Sequence, residues 1–396
     1  MKPRRFSLFA VIGKALRVGV LILLLGLWLL PCPDVAAGPA GKSYFVYVGT
    51  YTANASKGIY AFRFSPAIGE AVPLGLVAET ANPSWLVVTP DQRFLYSTNE
   101  HPGKTEPGNT IAAYAIDRKT GGLTLLNKVS SKGVGPCHLA LDRTGKILIA
   151  ANFGSGSIAS FPVLADGRLG EASGFGQDRG SGADPVRQGG PHAHGTVASI
   201  DNRFVLVADL GADRIFAYRL DHSSGALAPN DAPAAVLPPG RAPRHLAFHP
   251  SGKYVYMVSD KGVTAFDYDR AHGTLREMQT FALPEGSSGQ STYSEIQVDR
   301  AGKFAYDANR QDASVGVFSV DAGTGKLTTI QRIPTGGKTP RSFSLDPTGD
   351  YLFSANEGSG TVTVFRVDKA SGKLTPAVEA AKDIPDAACV AFAWAK

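Results

Sequence analysis

The chain has 396 residues, 43% hydrophobic and 19% charged, with a formal charge of +6. Residues 1–37 hold five basic residues against one acidic, Asp34, so +4 of that charge sits there and +2 is left for the rest. No basic run survives in the remainder, which excludes nucleic acid as a partner, and three cysteines are too few for a disulfide-built scaffold.

The first predicted element is an address. Lys2, Arg4, Arg5, Lys14 and Arg17 precede an apolar run, Val18 to Leu30, and Val35 and Ala37 stand where a signal peptidase reads small residues. Residues 1–37 are therefore expected to be a secretory signal peptide. The run is short for a bilayer span, so no stable membrane span is expected after cleavage; the alternative is a segment retained uncleaved as a membrane anchor. Residues 38–396 are then a periplasmic or secreted single domain, expected to be a monomer.

The body repeats. Similar segments open at Pro83, Pro136, Pro191, Pro243, Tyr293 and Pro340. Each runs from a short apolar stretch through a turn to a second stretch ending in Asn or Asp. Examples are Trp85–Asn99, His138–Asn152, Glu295–Asn309 and Ser342–Asn356. The stretches are β-branched and aromatic, bounded by Gly, Pro, Asn and Asp, and read as antiparallel strands. Four strands in a repeat of about 50 residues is the pattern of a propeller blade. At the ends, Tyr44–Tyr51, Gly58–Phe64 and Ala71–Glu79 match the second to fourth strands of a blade, and Cys389–Trp394 matches a first strand. The fold class expected is all-β: a seven-bladed β-propeller, with one blade closed by N- and C-terminal strands. Cys137 and Cys389 fall on inner strands two blades apart, beyond disulfide reach, and are read as buried thiols.

Positions that recur from blade to blade belong to the fold. Asn99, Asn152, Asn309, Asn356 and Asp209 close equivalent strands and suit the turn that follows. His249, in a Pro/Gly turn, is expected to be exposed. The segment Gly174–Gly190 is rich in Gly and breaks the repeat spacing; it reads as a mobile loop over the mouth or as a solvated insertion, and the insertion is the preferred expectation.

Chemistry is expected where equivalent positions diverge into charged residues. This happens at the start of the first strand and just after the second. Because those strands are antiparallel neighbours, both zones gather at one mouth of the central channel. That mouth collects His138, His192, His194, Arg244, His245, Asp260, Glu295, Arg310 and Arg341. Arginine forks suit a carboxylate or phosphate, and a histidine near a carboxylate suits proton transfer near neutral pH. The chain lacks a nucleophile elbow, a Cys/His zinc spacing and a phosphate loop. His192 and His194 have no evident third ligand, so no metal and no cofactor is expected.

The stretches Tyr47–Thr52 (YVGTYT), Gly190–His194 (GPHAH), Ala208–Gly211 (ADLG), Pro243–Gly252 (PRHLAFHPSG) and Pro340–Gly349 (PRSFSLDPTG) carry a resemblance. The body, Tyr44 to Trp394, resembles the seven-bladed-propeller lactonases, among them 6-phosphogluconolactonase and carboxymuconate lactonizing enzyme. The resemblance implies hydrolysis of a sugar lactone or other small anionic lactone. It maps the family's active-site histidine onto His194, one arginine onto Arg244, a second onto Arg310, and an acidic residue, usually Glu, onto the shorter Asp260. Glu295 and Arg341 also match recurrent family residues near the mouth; Glu295 is expected to be catalytic, and Arg341, together with His138, His192 and His245 of the mouth cluster, to bind substrate. In that scheme His194, assisted by Asp260 or Glu295, activates water, while Arg244 and Arg310 hold the anionic group. Export points away from a phosphorylated sugar. The alternative class is a non-catalytic exported propeller that binds a ligand or protein partner, as segments such as Leu352–Phe365 suggest.

Overall fold

The computed structural model describes residues 43–101, 109–282, 293–377 and 382–396, all within the compact unit Gly41–Lys396. The predicted signal segment 1–37 lies outside the described residues.

Seven antiparallel sheets, each of four or five strands, form the blades of a β-propeller. Blade 1 is built from both ends of the chain: Ala387–Trp394 is innermost, followed outwards by Tyr44–Thr50, Gly58–Ser65 and Glu70–Glu79. The closing register pairs Tyr44 with Trp394, Val46 with Phe392 and Val48 with Val390. The innermost strands of blades 2 to 7 are Leu86–Val88, Pro136–Leu141, Ala193–Ala198, Pro243–Phe248, Tyr293–Val298 and Pro340–Leu345. One single-turn 3-10 helix, Glu357–Ser359, is the only helix among the described residues, and none there is long and apolar enough to cross a membrane.

Period-two alternation shows how the ring is held. Along Tyr44–Thr50 every residue is buried, because successive side chains leave opposite faces and each face meets a different neighbour. Tyr44, Val46 and Val48 pack with Tyr351 and Phe353 of blade 7. Phe45 and Tyr47 pack with Leu95 and Tyr114 of blade 2. A strand buried on both faces reads as a continuous apolar run, and the sequence does so here.

A second device staples consecutive blades. Tyr47, Tyr96, Tyr256 and Tyr306 each donate a hydroxyl hydrogen bond to the carbonyl of a turn glycine in the next blade: Gly121 (3.1 Å), Gly167 (2.9 Å), Gly325 (2.9 Å) and Gly372 (3.2 Å). Gly167 has φ +87°, and a Cβ there would stand 2.1 Å from the Phe94 ring. Glycine is therefore required on both conformational and packing grounds.

The recurrent strand-ending residues are structural as expected. Asn99 donates to Thr80 Oγ1 and the Ala81 carbonyl, and Asp209 accepts from the backbone N–H groups of His192 and Ala212. Cys137 and Cys389 are buried and unpaired with each other. His249 departs from expectation. It is 8% exposed, and its Nε2 donates to the Gly302 carbonyl of the next blade at 2.9 Å. Its ring lies against the adjoining blade, although Pro250 and Ser251 of the same turn are exposed.

Candidate functional site

The innermost strands of blades 3 to 7 share a register shift at their first residues, between Pro136 and His138, Ala193 and Gly195, Pro243 and His245, Tyr293 and Glu295, and Pro340 and Ser342. The extra residue in each is Cys137, His194, Arg244, Ser294 or Arg341. Such bulges re-aim side chains and break strict alternation. This is why the consecutive residues Arg244 and His245 both join the same cluster.

The structure brings His138, His194, Arg244, His245, Asp260 and Glu295 together. Arg244 Nε donates to Asp260 Oδ1 at 2.8 Å, and Arg244 Nη1 donates to His194 Nε2 at 2.8 Å. Asp260 Oδ2 accepts from Arg187 Nη1 at 2.7 Å. Glu295 Oε2 faces His245 Nδ1 at 3.3 Å and accepts from Ser342 Oγ at 3.1 Å, while Oε1 accepts from the Ile296 N–H. The His245 ring centroid lies 5.2 Å from that of His194 and 4.8 Å from that of His138. Trp85 covers His138 at 4.2 Å and meets His245 edge-on at 5.1 Å. Arg341 Nε donates to the Tyr51 hydroxyl at 3.4 Å. His192 stands to one side: it stacks on Phe153 at 4.6 Å, donates from Nδ1 to the Phe153 carbonyl, and reaches His194 only across that ring. Arg310 is half-buried at the same mouth, within the fields of Arg341 and Arg244.

These partnerships differ from the scheme read off the sequence. Asp260 is not bonded to His194 but holds two guanidiniums, one of which contacts that histidine. Glu295 is bonded to His245 instead. Arg187 was absent from the sequence reading because it lies in the segment that breaks the repeat, where no register could place it. That segment is not wholly an insertion either, since Gly174–Gln177 forms the outer strand of blade 3. Tyr51 was missed too, although it sits in the YVGTYT stretch.

The electrostatics are those of a buried site in which several guanidiniums surround the histidines, with Arg341 also in the field of Glu100. Burial, then Arg244 and the neighbouring cations, holds His194 well below its ordinary pKa. Burial, with Arg341, Arg244 and Arg310, does the same to His245. Burial and then His245 depress His138. Burial raises the Glu295 carboxyl to about 7, against the opposing effects of His138 and the Ile296 N–H. Burial and the fields of Arg341 and Arg244 bring Arg310 down to about 9, still charged at neutral pH.

Four buried nitrogen atoms at this mouth have no hydrogen-bond partner in the protein: His194 Nδ1, His245 Nε2, Arg310 Nε and Arg341 Nη1. Buried polar atoms are rarely left unmet without a reason, and a ligand is one. Two imidazoles and two guanidiniums together suit an oxygen-rich molecule that develops negative charge. Among the described residues no group of three or more His, Cys, Asp or Glu side chains is arranged to hold a metal ion.

Comparison with known proteins places this geometry in context. A family profile described as "Lactonase, 7-bladed beta-propeller" matches residues 45–392. A 6-phosphogluconolactonase of Bacillus subtilis is 34% identical over 303 residues, 76% of this chain and 84% of that protein. A 6-phosphogluconolactonase of Formosa agariphila is 31% identical over 303 residues, 76% and 85% of the two chains. The solved structure of a periplasmic gluconolactonase of Pseudomonas aeruginosa superposes with a TM-score of 0.82 at 31% identity, covering 89% of this chain and 100% of that one.

Proposed function

The chain belongs to the seven-bladed β-propeller lactonase family, and from that premise we propose that it hydrolyses a sugar lactone at the channel mouth lined by His194, His245, Arg244, Arg310 and Arg341. The observation that carries the reading is the set of four buried, unpartnered nitrogen atoms on His194, His245, Arg310 and Arg341, residues close enough for both arginines to act on both histidines. Ester hydrolysis needs a base for water and donors for the oxyanion, and the imidazoles can divide those duties. Arg310 and Arg341 hold the substrate's oxygens. Asp260, locked between Arg187 and Arg244, orients Arg244.

The substrate is an unphosphorylated aldonolactone outside the cytoplasm. The signal-like residues 1–37 and a relative named as a periplasmic gluconolactonase support this choice. The test is pH-stat titration of the purified protein with glucono-δ-lactone and with its 6-phosphate. Faster turnover of the unphosphorylated lactone is expected. Preference for the phosphate would move the reaction to a cytoplasmic sugar phosphate, and no acceleration over spontaneous opening of either would count against lactonase activity on aldonolactones.

A further inference from the structure

The two histidines at the centre of the mouth are not equivalent, and their hydrogen bonds say which proton each carries. A guanidinium has only donors. Its 2.8 Å contact with His194 Nε2 therefore occupies that nitrogen's lone pair. Neutral His194 must then carry its proton on Nδ1, which is buried and unpartnered. His194 can donate a hydrogen bond into the site, but its basic nitrogen is taken. His245 has the opposite arrangement. Its Nδ1 faces the carboxylate of Glu295, so with Glu295 ionised the proton sits on Nδ1, and the lone pair of Nε2 is left open and unpartnered.

We infer that His245, oriented by Glu295, is the general base of the reaction, and that His194, held in its donor tautomer by Arg244, stabilises the oxyanion. The inference rests on the lactonase reading and reverses the duty given to His194 by the family resemblance.

In the step this implies, a water oxygen bonds to the lactone carbonyl carbon while one water proton passes to His245 Nε2. The carbonyl electron pair moves onto its oxygen, which accepts from His194 Nδ1–H. Collapse of the oxyanion breaks the ring carbon–oxygen bond, and the departing alkoxide takes the proton back from His245. The product is the open hydroxy acid, which then loses its carboxyl proton to solvent.

The groups around the pair fit these roles. His245 is faced by Arg341, Arg244, Arg310, His194 and His138, and Glu295 by His138, His245 and Arg341. The cations oppose a charged His245 in the resting site, so its neutral, basic form persists at neutral pH. Glu295, raised to about 7 by burial, supplies the compensating negative charge only above that pH, so the pair titrates as a unit.

The experiment is the pH dependence of kcat/KM for glucono-δ-lactone with the full chain and three variants. Wild type is expected to rise through one apparent pKa near 7. Glu295→Gln and His245→Asn are expected to lose that acid limb and about 10²–10⁴-fold of the plateau rate. His194→Asn is expected to lose about 10²–10³-fold and keep the limb. A limb abolished by His194→Asn and retained by His245→Asn would overturn the assignment. A second measurement needs no turnover and no folded variant at His245. Nitrogen-15 correlation spectra at about pH 8 should show His194 protonated on Nδ1. The His245 Nδ1 signal should move with a midpoint near 7, and that shift should be absent in Glu295→Gln. A proton on His194 Nε2, or a His245 signal indifferent to Glu295→Gln, would sink the inference even if wild type hydrolysed no lactone. In that case the absence of turnover would count separately against the function.

Discussion

Replacing Asp260 by Asn tests the ionic frame of the site. Asp260 is 1% exposed and accepts from Arg187 Nη1 at 2.7 Å and Arg244 Nε at 2.8 Å, one guanidinium on each oxygen. Asparagine keeps the shape but removes the charge, and turns one acceptor into a donor that faces a guanidinium. Removing one partner from a buried ion pair costs about 3–5 kcal/mol. Arg187 is 28% exposed at its side chain and can turn to water, whereas Arg244, at 6%, is enclosed. At about 2 °C per kcal/mol for a domain of this size, the melting temperature should fall by about 6–10 °C. Arg187→Met, on the exposed side of the triad, should cost only about 1–2 kcal/mol. The double variant should cost little more than Asp260→Asn alone, because both changes act on the same carboxylate. Urea unfolding of the three variants, with lactone turnover measured beside it, is the assay. Turnover should fall in Asp260→Asn because Arg244 loses its hold on His194. An Asp260→Asn variant within about 1 kcal/mol of wild type, with full turnover, would refute the reasoning.

Three further outcomes are expected. Because His194, His245 and His138 are held below their ordinary value of 6.5, the unfolded chain binds more protons than the folded one in acid. Stability should therefore fall as pH drops through about 6.5, while the raised Glu295 makes an opposite, smaller contribution that is lost as pH rises from 4.5 to about 7. Melting temperatures across that range check the sign. Asp178 and Asp209 are buried side by side, both carboxyls raised chiefly by burial, with Tyr218 donating to Asp178 Oδ1 at 2.6 Å. Asp178→Asn imitates the protonated acid, so it should stabilise the protein at alkaline pH and have little effect in acid, as melting curves at the two extremes would reveal. Deleting residues 387–396 removes the innermost strand of blade 1 and uncovers Tyr44, Val46 and Val48. Size-exclusion chromatography should then find aggregate instead of a soluble propeller.

Much of the architecture was legible because a propeller writes its geometry repeatedly. The strand-ending Asn99, Asn152, Asn309 and Asn356 fixed the blade register, and the orphan strands at each terminus could complete only one another. The mouth was legible for the same reason, since Arg244, Asp260, Glu295 and Arg341 stand where the repeats disagree. What the repeats could not convey is who bonds to whom. The partnership of Glu295 with His245 depends on bulges that skip one residue in the inner strands of blades 3 to 7, which the sequence does not mark. Arg187 lies outside any repeat, and its pairing with Asp260 spans 73 positions. The burial of His249 arises from contact with the following blade, which no single turn encodes.

The central claim is that this mouth opens a lactone ring, and the most direct measurement is turnover of glucono-δ-lactone by wild type and His194→Ala, each first shown to be folded by circular dichroism. The account predicts hydrolysis well above the spontaneous rate in wild type and a loss of about 10²-fold or more in the variant. Equal rates in the two folded proteins would contradict it.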